Sequence, residues 1–398
     1  MHKKLVSDSL IVSISTGLAK LTPILLGVFI TNKFGGVEYS QFVSFLLLSN
    51  LVISVSALGC APQILSLKHT PDSSVEFIKL TSLCFFIVLC SYAILDLDFK
   101  FFQEFFENIP LIYFLFHSLG LGFVYLCAAR FNNKFNAIGG AKVWFGFIIS
   151  SLLAIISAMV GFVDFSEIVP LLSIMSLLVG CGSVLYIVAK DWDSITSVEV
   201  STFTKGMSIY FKNSLFMSIF GFVSVGVFLY SQRLIVSSGV ESDSTQFSMF
   251  IQLYSVVTFV PTMLGNVVIP RLSNKSVKSW LVYAVYFLMA IIVLMPVNFF
   301  YEHVYNVYGI SIGVGGYSSM FYFSVLAIVA CVNSYSIQQA VAKNKFNYLL
   351  LYLFLLVCSL LLMLHIFENV NVNTIIISLA TSYIVSAVGL YSLIKVDK

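Results

Sequence analysis

Charge is what this sequence has least of. Only 10% of its 398 residues are Asp, Glu, Lys or Arg, where soluble domains carry about a quarter. A soluble globular protein is excluded on that ground alone. The net charge of +3 and the lack of any Lys/Arg-rich run exclude a nucleic-acid partner. There is no P-loop, so the chain does not use ATP by itself. No His, Cys, Asp or Glu cluster has metal-ligand spacing, and the seven cysteines form no CxxC pair, reading instead as small buried hydrophobes. Hydrolase and transferase constellations are missing too. The expectation is a protein that is not an enzyme, with no cofactor, metal or catalytic residue.

What is present is apolar. The chain is 59% hydrophobic with 38 Phe and 20 Tyr, and its mean hydropathy is +0.99. Runs of spanning length occur near 10–31, 40–66, 77–95, 109–129, 143–163, 168–189, 210–236, 245–269, 280–300, 318–341, 347–366 and 373–394. The opening MHKK resembles a signal peptide. No small-residue cleavage site follows, so the first run is kept as a helix. Twelve transmembrane helices with both termini cytoplasmic are therefore predicted, in an all-α integral membrane fold. Sidedness supports the count. With the N-terminus inside, only Lys33 and Lys100 fall in outside connections and seventeen Lys and Arg fall inside. Lys20 and Arg233 remain within spans and complete the 21 basic residues.

The outside connection 95–110 carries Phe99, Phe102 and Phe106 on one helical stripe. It reads either as a short interfacial helix or as the aromatic belt of two helix ends. The Gly-rich stretch Gly309 to Gly316 lacks the helix start a phosphate cradle needs and reads as a turn. A faint repeat runs through the chain. Ser40-Gln41-Phe42 opens the second helix and Thr245-Gln246-Phe247 the eighth. Asn133-Lys134-Phe135-Asn136 follows the fourth and Asn344-Lys345-Phe346-Asn347 the tenth. These positions are equivalent in two pseudo-symmetric six-helix halves, 1–190 and 210–398, joined by a cytoplasmic loop, 191–209. Transporters built from parallel repeats hold substrate near the midplane.

Lys20 lies near the middle of the first span, with Pro23 close behind. A lysine at that depth costs a few kcal/mol in hydrocarbon and marks a protein interior or a wet path. No Asp or Glu lies at mid-depth in any span, and a cation without a built-in counter-ion suits an anionic guest such as a phosphate. Arg233, beside Tyr230 and Gln232 in the seventh span, reads either as a second cavity cation or as a side chain that snorkels to the surface. Asn50, Asn266, Asn333 and Gln338 lie at membrane depth with His117, Gln252 and Gln339. They suit inter-helix hydrogen bonds, and a few suit a sugar-lined path. His117 reads as structural.

Residues 29–65, with Gly35-Gly36-Val37-Glu38-Tyr39 followed by an apolar helix ending in Leu58-Gly59, resemble the first two helices of bacterial polysaccharide flippases. Arg233-Leu234-Ile235 and the stretch 258–273, with Pro270, look like that family's seventh and eighth helices. Length, span number and repeat fit the O-antigen (Wzx-type) branch of the multidrug/oligosaccharidyl-lipid/polysaccharide (MOP) flippase superfamily and its MATE-like fold. The resemblance implies a flippase of the bacterial inner membrane. It would move an undecaprenyl-diphosphate-linked oligosaccharide outward through the lipid bilayer, by alternating access, for lipopolysaccharide synthesis. Lys20, with Arg233, would hold the diphosphate or acidic sugars. A polysaccharide polymerase and a chain-length regulator are the implied protein partners. The chain departs from ion-coupled relatives in offering no mid-membrane carboxylate for a proton. A multidrug exporter of the same superfamily, a lipid II-type flippase and an integral-membrane polysaccharide polymerase are the alternatives. The first would want a buried acid, the second generally has two further helices, and the third typically has a large, arginine-bearing outside loop.

Overall fold

The computed structural model describes residues 2–66, 73–97, 109–133, 137–161, 163–193, 207–273, 279–310, 316–343, 345–367 and 370–396. Among these residues all regular secondary structure is helical. The helices are α1 (His2–Lys33), α2 (Gly36–Ser66), α3 (Ser73–Leu97), α4 (Ile112–Asn133), α5 (Ala137–Met159), α6 (Phe165–Lys190), α7 (Met207–Ser237), α8 (Glu241–Ser273), α9 (Ser279–Phe299), α10 (Tyr301–Val307), α11 (Gly316–Ala342), α12 (Phe346–Ile366) and α13 (Val372–Val396). Each apolar run read from the sequence lies on one of the long helices, and the short α10 is additional. Among the described residues, eleven helices are long and apolar enough to cross a membrane. Helices dominate because a backbone in hydrocarbon must satisfy its own amides and carbonyls. Most of the 95–110 connection, the middle of 309–316, the 194–206 part of the central loop and residues 134–136 and 344 of the second repeat lie outside the described residues.

Two compact units divide the chain. The first comprises Met1–Phe29 and Ser44–Gly226, the second Ile30–Val43 and Val227–Lys398. The hairpin that joins α1 to α2 thus belongs to the second unit. Inside the first unit α4 packs on α3, α5 and α6, and α5 packs on α6. Inside the second, α11 packs on α9, α12 and α13, and α12 packs on α13. These four pairings correspond one for one between the units.

Equivalent helices also begin alike. At α6 the Asp164 amide donates to the Glu167 carboxylate at 3.2 Å. At α13 the Asn371 amide donates to the Thr374 hydroxyl and the Thr374 amide returns a bond to the Asn371 side chain, each at 3.0 Å. These reciprocal caps satisfy amides that the helix start leaves open.

Small residues set the packing distance, since lipid tails provide no hydrophobic drive for helix association. A Cβ on Gly120 of α4 would collide with the backbone of Ser176 on α6, and one on Gly180 would collide with the Gly120 backbone. One turn from Gly120, His117 is fully enclosed. Its Nδ1 pairs with the Ser176 hydroxyl at 3.2 Å, between the rings of Phe45 and Phe147. The structural reading of His117 holds. Leu and Phe side chains cover the outward helix faces in large numbers, as a lipid-facing surface requires.

Candidate functional site

α1 has two dissimilar sides. Ile14, Leu18, Leu21 and Leu25 are exposed, between 42% and 57%. Ser15, Ala19, Thr22, Leu26 and Ile30 are buried. Thr16, Lys20 and Pro23 run beside the buried stripe at i, i+4 and i+7 and are half-buried. At 100° per residue this stripe points away from the exposed leucines. Lys20 is therefore held off the face that the apolar side chains give to lipid, yet stays accessible. The helix is continuous through Pro23, whose missing N–H deprives the Ala19 carbonyl of its donor one position before the lysine. Among the described residues Lys20 has no ion-pair partner, and the Arg130–Asp191 pair lies elsewhere.

The other candidates are more scattered. Asn50 is half-buried on α2, in the first unit with Lys20. The rest belong to the second unit. Gln232 is fully buried on α7, and its Nε2 donates to the Ser248 hydroxyl at 2.9 Å. Arg233 beside it is half-buried and Tyr230 is 42% exposed. Gln338 on α11 accepts from the Tyr286 hydroxyl at 2.7 Å and donates to the Pro261 carbonyl at 2.9 Å. Asn333 on the same helix is buried, and its amide completes no hydrogen bond of ordinary geometry. The side chain of Asn266 lies outside the described residues. Gln338 is thus occupied at both ends of its amide, whereas the Gln232 oxygen and the Asn333 amide, the latter beside Tyr352, complete no hydrogen bond of ordinary geometry among the described residues.

The second unit contains a polar seam where the α1–α2 hairpin meets α8. Gly35 ends α1 at φ +117°, a conformation that favours glycine. A Cβ on Gly36 would collide with the Thr245 hydroxyl. One turn on, the Ser40 hydroxyl donates to that of Ser244 at 3.2 Å, and the Ser248 hydroxyl reaches Ser40 at 3.5 Å. Tyr39 is fully buried, its ring 5.7 Å from that of Tyr308. Asn32 donates to the Val307 carbonyl at 2.7 Å. The Gly-Gly-x-x-Tyr turn is thus a docking element in which each glycine and the tyrosine has a separate steric reason. Behind it Tyr305 pairs with Gln246, and the Tyr308 hydroxyl donates to Gln252 at 3.1 Å. Burial pushes the Tyr305 phenol up to about 12 and that of Tyr308 further, so both remain neutral donors at physiological pH.

One charged cluster escapes the sequence. Arg130, at the end of α4, is 1% exposed and forms an ion pair with Asp191, just past α6, at 3.2 Å. Ser74 at the start of α3 donates to the same carboxylate at 2.8 Å and accepts from Arg130 at 2.9 Å. Lys79 is buried on α3 as well, and the Arg130 guanidinium lies over the Phe77 ring. In the sequence both basic residues count among the positive loop ends. Nothing in the spacing of residues 74, 130 and 191 marks them as neighbours.

The chain matches no protein-family model and no curated protein. Its fold is nonetheless shared by solved transporters. It is similar to the MATE multidrug transporter DinF-BH, solved as a ligand complex, with a TM-score of 0.66 at 12% identity over 99% of this chain and 95% of that one. The lipid II flippase MurJ in an inward closed conformation gives 0.65 at 13%, over 97% and 87%. A MATE transporter in the bent conformation gives 0.63 at 12%, over 100% and 95%. The chain therefore has the MATE-like fold.

Proposed function

We propose that this chain is a transporter of the MOP superfamily, a flippase that moves a lipid-linked oligosaccharide with a diphosphate headgroup across the bacterial inner membrane by alternating access. The undecaprenyl-diphosphate-linked repeat unit of an O-antigen is the substrate of first choice. The observation that carries the reading is Lys20, a half-buried cation on the non-lipid side of α1 with no acidic partner among the described residues. The 18 acids of the sequence all lie toward helix ends or in connections, which leaves the negative charge to the guest. Charge-assisted bonds from lysine to phosphate oxygens are short and strong. Arg233, Tyr230, Gln232, Asn50, Asn266, Asn333 and Gln338 are proposed to contact sugar or diphosphate, with Asn333 and Gln232 foremost because each keeps buried amide atoms without a hydrogen bond of ordinary geometry among the described residues. Both termini lie in the cytoplasm in this reading, the polyprenyl tail stays in the bilayer, and a polymerase and chain-length regulator act next on the product. The protein performs no covalent chemistry.

Export of a cationic drug is the second reading, supported by the fold shared with the MATE transporters. It is opposed by the lack of a mid-span carboxylate to bind such a drug. Expression in an O-antigen strain deleted for its flippase separates the two. Restored lipopolysaccharide ladders support flipping. Drug resistance without a ladder supports export. Repeating the assay in a polymerase-deleted strain removes the polymerase alternative.

A further inference from the structure

Helices α5 and α6 touch tightly at one level and part at another. A Cβ on Gly146 would lie 3.2 Å from Val179, so the two helices are in close contact there. One turn further along α6, a Cβ on Gly182 would meet nothing within 4 Å. Toward the start of α5 and the end of α6 the separation opens into a groove of about 470 Å³, floored by Phe131 of α4. Its walls are apolar or small: Ile138, Gly139 and Val143 on α5, and Leu178, Val179 and Gly182 on α6. Ile138, Leu178 and Tyr186 at its rim are each about 60% exposed. The groove thus opens on the outward surface of the helices, the side that faces lipid.

One charged group lines it. Lys142, in the second turn of α5, is exposed, and Ser183 of α6 lines the same groove. No carboxylate is among the lining residues. The nearest acid in sequence, Asp191, is already held by Arg130. Tyr186 and Trp192 are exposed at the same end of α6 and mark the level of the headgroups. An apolar slot with a cation at its interfacial mouth complements a lipid with an apolar chain and an anionic head. Basic pockets between transmembrane helices are known to take such headgroups.

We propose that this groove is a binding site for an anionic glycerophospholipid. One acyl chain lies against Gly182, Leu178 and Ile138, and the phosphate meets the Lys142 ammonium. The site is separate from Lys20 and does not depend on the flippase reading.

The test uses the full-length protein, purified in detergent and stripped of lipid. It is titrated with phosphatidylglycerol or with phosphatidylcholine of the same acyl chains, and bound lipid is read by native mass spectrometry. Wild type is expected to retain phosphatidylglycerol in preference. Lys142→Glu should reduce that preference about fivefold, the share of one lysine near an anionic surface, while Lys395→Glu on α13 leaves it unchanged. Gly182→Leu, which fills open space, should displace both lipids. Leu178→Trp, at an exposed rim position, gives a second filler if the first does not fold. Equal retention of the two lipids by wild type, or unchanged retention in a monodisperse filler variant, would overturn the proposal.

Discussion

The hydroxyls of Ser40 and Ser244 lie 3.2 Å apart, joining the N-terminal ends of α2 and α8, the two helices that carry the repeated tripeptides. Gly36 and Thr245 make the crossing close enough for this, since no side chain fits at Gly36. In the proposed orientation this is the outer end of the protein, and although both residues lie in the second unit, the flippase reading expects this contact to open during transport. Ser40→Cys with Ser244→Cys, in a background with the exposed Cys90 and Cys358 replaced by serine, should form a disulfide under mild oxidation. Oxidation is expected to stop transport and reduction to restore it. Full transport with the crosslink verified by mass spectrometry would show that this seam does not open.

Lys20 sets the second prediction. Lys20→Ala should insert and express normally yet lose about ten- to hundredfold in substrate affinity or transport, the value of a hydrogen bond to a charged group. Lys20→Arg should retain most of the activity, because the cation is kept. Surface polysaccharide is read in cells and protein level by immunoblot.

The Arg130–Asp191 pair is buried, so removing one partner strands a charge. Asp191→Ala is expected to destabilise the protein by about 3–5 kcal/mol. Arg130→Met combined with Asp191→Leu should recover much of that loss, since apolar replacement of a buried pair is often neutral. Thermal melting of the detergent-solubilised variants reads both. A single variant as stable as wild type would mean that the pair is not held as described.

Two glycines on neighbouring helices should respond oppositely to the same methyl group. Gly120→Ala meets the Ser176 backbone and forces α4 from α6, at a cost of about 1–3 kcal/mol. Gly182→Ala meets nothing and removes a flexible residue from a helix, so it should be neutral or slightly stabilising. Unfolding midpoints of the two variants check the contrast.

The long helices are legible in the sequence because hydrocarbon imposes one pattern, length with apolarity, that needs no knowledge of neighbours. The repeated Ser-Gln-Phe and Thr-Gln-Phe triplets are legible as a repeat, though not as the Ser40–Ser244 contact beside them. Arg130 and Lys79 read as surface charge because burial of an ion depends on partners far along the chain. The helix Tyr301–Val307 is too short to leave a periodic signal. Lys20 is visible by its depth alone, and only the helix geometry tells which side it takes.

The most direct measurement reconstitutes the protein in liposomes with a fluorescent undecaprenyl-diphosphate saccharide and follows quenching by a membrane-impermeant reductant. The account predicts that wild type exposes label from the inner leaflet and that Lys20→Ala does so far more slowly. Inner-leaflet label that stays protected with wild-type protein, beside active efflux of a cationic dye, would contradict it.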